Sequence, residues 1–276
     1  MAGLPHRLLH IVVLVACLSL QPSMASFELI PLSSRQTAMG GTSGRRGAPG
    51  ALWLNPASAA ILPGHWLSST HCQLWGLPEL AQSSLSYTQP LLVGNLSVGL
   101  STFGCASYRE NMACFSFATE VKSDLDIGMN LKYMHRSIGD ELVDNVISID
   151  AGLIASPIDE LMVEVSSHNI GSPTIGIELL HQDLTAGFSY EPAEEISIGL
   201  CLFKQPPHPI RLCIGEEFGL TEWLIQRAGM KQSPTTMTIG FGIDLSPMVL
   251  DYAALLHPLL GTTHSFSLSV KKFWGD

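Results

Sequence analysis

The sequence predicts an all-β fold: a fourteen-stranded antiparallel β-barrel of the outer-membrane type, with an N-terminal plug segment. Three observations carry this expectation. Apolar residues make up 46% of the 276 residues and charged residues only 14%, whereas soluble domains run at about a quarter charged. Past residue 25 no stretch reaches the ~20 uninterrupted apolar residues of a spanning helix. In place of helices come short segments with a side-chain period of two, as a strand between apolar and polar surroundings requires. The same composition excludes a disordered chain. Fourteen Lys and Arg against 24 Asp and Glu give a formal net charge of −10, which excludes a basic nucleic-acid-binding surface.

Residues 1–25 read as a secretory signal. Arg7 precedes the apolar run Ile11–Leu20, and Ser23-Met24-Ala25 supplies small residues for cleavage after Ala25. Leu14-Val15-Ala16-Cys17 also fits a lipoprotein signal, but apolar sequence continues past Cys17.

Residues 26–62 are expected to form the plug and 63–276 the barrel. Between residues 29 and 78 there is no acid, but there are Arg35, Arg45 and Arg46. From residue 79 onward ten Lys and Arg face 23 acids. A cationic segment inside an anionic lumen follows from this division, and a solvated extension is the alternative. Trp53, Leu54 and the alanines around Asn55-Pro56 suggest a short interrupted helix. The run Gly40–Gly47 lacks the Gly-Lys-Ser/Thr ending of a phosphate loop and follows no apolar strand.

Fourteen alternating segments follow, at 64–73, 81–89, 92–104, 111–121, 124–136, 144–156, 160–169, 183–191, 194–204, 209–218, 221–231, 234–245, 247–255 and 262–274. In 124–136, for instance, Leu125, Ile127, Met129, Leu131 and Tyr133 alternate with Asp124, Asp126, Gly128, Asn130 and Lys132. Most segments have the ~10 residues of a tilted membrane-crossing strand, and the even count matches such barrels. A soluble sandwich also alternates. The connections favour the barrel, because every second one is a tight turn, such as Gln89-Pro90, Ser156-Pro157, Pro192-Ala193 and Ser246-Pro247. The others are mostly longer, which gives a short-turn rim and a long-loop rim.

The lumen-facing parity selects candidate residues for the plug–barrel interface: Arg35, Arg45, Arg46 and Asn55 from the segment, with Asp126, Asp150, Glu164, Asp244 and Asp251 from the wall. Five cysteines lie beyond the signal. Cys105 with Cys114, and Cys201 with Cys213, are expected to face each other in two hairpins. They are possible disulfides, with free space-filling thiols as the favoured reading. No Gly-x-Ser-x-Gly, no Cys-x-x-Cys and no His pair at helical i, i+4 spacing with a glutamate occurs, so neither an enzyme nor a cofactor or metal is expected.

The stretch 33–60, with Met39-Gly40-Gly41 and Trp53-x-Asn55-Pro56-Ala57, resembles the N-terminal motif of PorV/PorQ and FadL-like outer-membrane proteins. Residues 250–274, with Leu250-Asp251-Tyr252-Ala253, Gly261, Thr263, His264, Ser267 and Leu268, resemble the same group's ending, and His168-Asn169-Ile170-Gly171 resembles its post-strand turn. The chain departs from the group in ending Phe273-Trp274-Gly275-Asp276 rather than on the aromatic, and in its short outer loops. The resemblance implies a fourteen-stranded plugged barrel in outer-membrane lipid, with small hydrophobic compounds as candidate ligands. It equally implies an alternative, a type IX secretion component that binds exported proteins.

Overall fold

The computed structural model describes residues 26–28, 32–43, 49–139 and 142–272. The expected signal at 1–25 and Arg45 and Arg46 lie outside the described residues. Fourteen antiparallel strands close into a barrel. In chain order they are β1 (His65–Gln73), β2 (Ala81–Pro90), β3 (Asn95–Gly104), β4 (Tyr108–Lys122), β5 (Leu125–Ile138), β6 (Leu142–Ile158) and β7 (Leu161–His168), then β10 (Asp183–Ala193), β11 (Ile196–Lys204), β12 (Arg211–Gly219), β13 (Leu224–Lys231), β14 (Thr236–Leu245), β15 (Met248–His257) and β16 (Gly261–Lys272). Between β7 and β10 a two-stranded hairpin, β8 (Thr174–Ile175) with β9 (Glu178–Leu179), stands apart from the wall. The barrel closes where β1 pairs with β16, from His65↔Lys272 to Gln73↔His264. All fourteen alternating segments are therefore strands, and closure leaves the barrel without a first or last edge strand.

Alternation sorts the two faces. Phe115, Leu131 and Ile147 point outward, each about half exposed or more, while Ser97, Ser148 and Ser265 on the other parity are buried. A continuous apolar outer face can be left in contact with lipid, because closure satisfies every backbone group. No helix among the described residues is long and apolar enough to cross a membrane. The inner face near the closing seam is built from hydroxyls: Ser68 Oγ donates to Ser269 Oγ (2.9 Å) and Thr70 is hydrogen-bonded to Ser267 (2.8 Å). Short side chains that satisfy one another across strands keep the wall thin.

Three expected turns lie elsewhere. Ser156-Pro157 and Pro192-Ala193 are inside strands, and the chain reverses only at 159–160 and 194–195. The pairing register shifts between Ala155 and Ile158 and between Tyr190 and Ala193. Proline cannot donate to the ladder, and a bulge accommodates it. A third bulge, between Glu120 and Lys122, lies at the same rim. Gln89-Pro90 ends β2, and the turn itself spans 91–94, where Leu91 N donates to Gly94 O (2.8 Å) with Gly94 at φ +87°. At the long-loop rim the connections 105–107 and 258–260 are short, and 169–182 is the longest, carrying the β8–β9 hairpin.

Candidate functional site

The described part of segment 26–62 lies inside the barrel. Its first element, α1 (Ser34–Ala38), docks on the last strands. Ser34 N donates to Ser267 Oγ (3.0 Å), Ser34 Oγ is hydrogen-bonded to Ser265 Oγ (2.7 Å), and Thr238 Oγ1 donates to Ala38 O (2.8 Å). At only five residues α1 has too few hydrogen bonds to persist alone, so the wall holds it. The chain then turns at Gly40 (φ +68°), where a Cβ would lie 2.8 Å from Ile214 O and 2.9 Å from Met230 N; only glycine fits.

A 3₁₀ turn at Ala51–Trp53 leads to Asn55, whose Oδ1 accepts the Ala57 amide (3.1 Å) and caps a second 3₁₀ turn, Pro56–Ala59. The carbonyls released by this irregular backbone meet side chains of the wall. Asn130 Nδ2 donates to Leu52 O (3.0 Å), His168 Nε2 lies 2.8 Å from Leu54 O, and Asn95 Nδ2 reaches Ala59 O (2.6 Å) and Leu62 O (3.0 Å). Buried backbone must be paired somewhere, and here the strands supply the partners.

Charges organise two clusters. Arg35 holds Glu217 with two bonds, Nε to Oε2 (2.8 Å) and Nη2 to Oε1 (3.2 Å). Glu217 Oε2 also accepts from Arg227 Nε (2.6 Å), and Arg227 Nη1 donates to Asp251 Oδ1 (2.7 Å). This alternating chain of two cations and two anions is almost fully shielded from solvent. The second cluster centres on Asp150, which accepts from Lys132 Nζ (2.7 Å), from the Asn169 amide (3.0 Å) and lies 3.2 Å from His168 Nδ1.

Several expected site residues therefore meet. Arg35 and Asp251 share one cluster. Asn55 and Glu164 touch, since Asn55 Nδ2 (3.2 Å) and Ser43 Oγ (2.7 Å) both donate to Glu164 Oε2. Asp126 is fully buried on the lumenal face of β5. Asp150 is buried in the lumen as well, paired with Lys132 of the wall. Two expectations need correction. Asp244 is exposed at the end of β14, where its Oδ1 accepts the Ser246 amide (3.0 Å), because the tight turn at 246–247 places it on the rim. Cys105 and Cys114 do not oppose each other: Cys105 sits in the 105–107 turn, its amide bonded to Tyr108 O, and Cys114 faces Gly99 and Lys132.

Cys201 and Cys213 do lie opposite each other, both buried, and all five described cysteines are free. Unfolded without reductant, the chain beyond residue 25 is expected to titrate five thiols with an alkylating agent; three would show that Cys201 and Cys213 are bridged. Glu217, Arg227 and Asn95 carry no local motif, and His168 is marked in the sequence only as part of a post-strand turn. Strand parity carried the signal for Glu217, which is two residues beyond Gly215 and four beyond Cys213 on the same face.

The segment does not fill the lumen. Towards the long-loop rim it leaves a cavity of about 80 Å³ against β10–β15, lined by Leu32, Trp53, Leu54, Phe203 and Leu255, with Thr238 and Lys231 at its polar side. A second cavity of about 40 Å³, across Leu32 and Trp53, is lined by Phe27, Phe103, Met112 and Met134 together with Lys132, Asp150 and His168.

No protein-family model matches the chain, and no curated protein does. Among solved structures it is similar to the CymD monoaromatic hydrocarbon channel, with a TM-score of 0.66 at 14% identity over 90% of this chain and 100% of that one. It is similar to the toluene transporter TbuX of Ralstonia pickettii, with a TM-score of 0.65 at 12% identity over 90% and 100%. The third is a Pseudomonas aeruginosa FadL homologue, with a TM-score of 0.61 at 11% identity over 87% and 98%. The chain thus has the closed fourteen-stranded architecture of the FadL-like outer-membrane barrels.

Proposed function

We propose that the protein is a plugged outer-membrane channel for small hydrophobic compounds. The observation that carries the reading is the cavity beside α1, which joins apolar walls to a few polar groups inside an otherwise hydroxyl-lined lumen. Leu32, Trp53, Phe203 and Leu255 offer a surface that an apolar solute wets better than water does. The segment 26–62 acts as the plug, held by the Arg35–Glu217–Arg227–Asp251 chain. The apolar outer face supports residence in the outer membrane, and the names of the similar structures, a monoaromatic hydrocarbon channel and a toluene transporter, support the solute class. No observation favours the secretion-component alternative or the narrower PorV/PorQ assignment.

Bromobenzene tests the reading, because its heavy atom quenches indole emission at short range. Saturable quenching of the folded barrel is expected, and Trp53→Phe is expected to abolish it while leaving uptake of the compound into barrel-containing liposomes intact. Uptake no faster than in barrel-free liposomes, together with quenching that does not saturate, would overturn the proposal.

A further inference from the structure

The long-loop mouth holds a third ion cluster that the channel reading does not use. Glu178, on the β8–β9 hairpin, is paired with Arg136 Nη1, and Arg136 Nη2 donates to Asp144 Oδ2 (2.8 Å). Glu110 stands beside them, accepting from Tyr108 Oη (2.5 Å). Among the described residues, three carboxylates thus gather around one guanidinium, which is bonded to two of them. Glu110, Glu178 and Arg136 are each less than a tenth exposed. Buried acids in excess of their cations are costly and call for further positive charge.

The group that reaches this cluster from the segment is Ser26. Its backbone nitrogen lies 3.0 Å from Glu178 Oε1, its Oγ donates to Glu178 Oε2 (2.7 Å), and Arg136 Nη1 donates to that Oγ (2.6 Å). The next amide, Phe27 N, donates to Glu110 Oε1 (3.0 Å). The Phe27 ring packs on Met134, Ile175 and Leu180, two of which come from the 169–182 loop. Ser26 is also the first residue after the cleavage point that the small-residue pattern Ser23-Met24-Ala25 marks.

We propose that Ser26 is the amino terminus of the mature chain, and that the mouth cluster is a binding site for its α-ammonium group with Glu178 as the counter-ion. Hydrolysis of the Ala25–Ser26 peptide bond by one water leaves a carboxylate on Ala25 and an ammonium on Ser26. The neutral amide that faced Glu178 thereby becomes a cation. The excess of carboxylates over cations in the cluster falls from two to one. The ligand is a primary ammonium followed by a hydroxyl and an aromatic ring, and each has its receptor: Glu178, Arg136 with Glu178, and the Met134–Ile175–Leu180 pocket. Processing is thereby coupled to closure of the 169–182 loop over the lumen, because Glu178 and Ile175 both belong to that loop. This site stands apart from the hydrophobic cavity, so it holds whether or not the channel reading does.

Intact-mass measurement of protein taken from outer membranes is expected to give a chain that begins at Ser26; any other start overturns the proposal. Acylation of the folded protein at pH 7 then reads the α-amine. It is expected to react about tenfold more slowly in the native protein than in Glu178→Gln, since a group held in a closed site reacts only through opening. Equal rates in two folded barrels would overturn the assignment. Should Glu178→Gln fail to fold, a second variant serves: two alanines inserted between Ala25 and Ser26, so that processing leaves an amide at Ser26. Limited proteolysis of loop 169–182 is expected to be about tenfold faster in that variant, and an unchanged rate counts against the proposal.

Discussion

Glu217→Ala is expected to destabilise the folded barrel by about 3–5 kcal/mol, because it removes the carboxylate shared by two buried guanidiniums and strands one of them. Glu217 is the shared partner of Arg35 and Arg227. With it gone, Arg227 keeps Asp251 but Arg35 keeps no carboxylate at hydrogen-bonding distance among the contacts described. The cheapest escape is for α1 to leave its dock, carrying Arg35 towards water. Two measurements should therefore move together: the denaturant midpoint of the barrel falls, and a protease added to the folded protein cuts within 32–43. Arg35→Ala is expected to be milder, since Glu217 then retains Arg227. A Glu217→Ala barrel within about 1 kcal/mol of the native one, with the segment still protected, would show that the ion chain holds nothing in place.

Gly128→Val is expected to separate the barrel from its contents. Valine suits a strand, so the wall should still form. A Cβ at position 128, however, would lie 2.4 Å from Pro56 C, 2.5 Å from Ala57 N and 2.6 Å from Pro56 O. All three are backbone atoms of a capped turn, so no flexible side chain can yield. The turn at Pro56–Ala59 must shift by an ångström or more, which breaks the Asn55 contact to Glu164 and opens the lumen. Heat-modifiable migration is expected to stay that of a folded barrel, while single-channel conductance rises and residues 49–62 become cleavable. Native conductance in a folded Gly128→Val protein would mean that the segment does not block the pore.

How far these sites were legible in the sequence follows from the period of each element. Strands announce themselves two residues at a time, so Asp124–His135 or Asp183–Glu191 could be assigned both a conformation and a face from composition alone. Ion pairs of the wall follow from parity plus register, which is why Asp251 was placed in the lumen while its partner Arg227, three positions before Met230, went unremarked. The prolines misled in a physical way. Pro157 and Pro192 look like turn residues, yet bulges let both strands pass through them. The Cys105–Cys114 pairing failed for a related reason, a reversal only three residues long where a symmetric hairpin was assumed. The lumenal segment has no period at all. Its path is set by wall side chains such as Asn95 and Asn130 that donate to its carbonyls, and no local pattern reports a partner 36 or 78 positions away.

The docking of α1 bears on how the barrel comes together. Residue 34 is hydrogen-bonded to residue 267, a sequence separation of 233, while Asn55 and Pro56 rest on the strands of the first half. The segment therefore bridges strands that are made early and strands that are made last. It cannot be seated until β14–β16 exist, and once they do, the same contacts draw them towards β1. Sealing the seam and seating the segment then amount to a single late event with very high contact order, which is slow by nature. A chain lacking residues 26–62 should reach the open, uncurled sheet as fast as the intact one and stall at the last step.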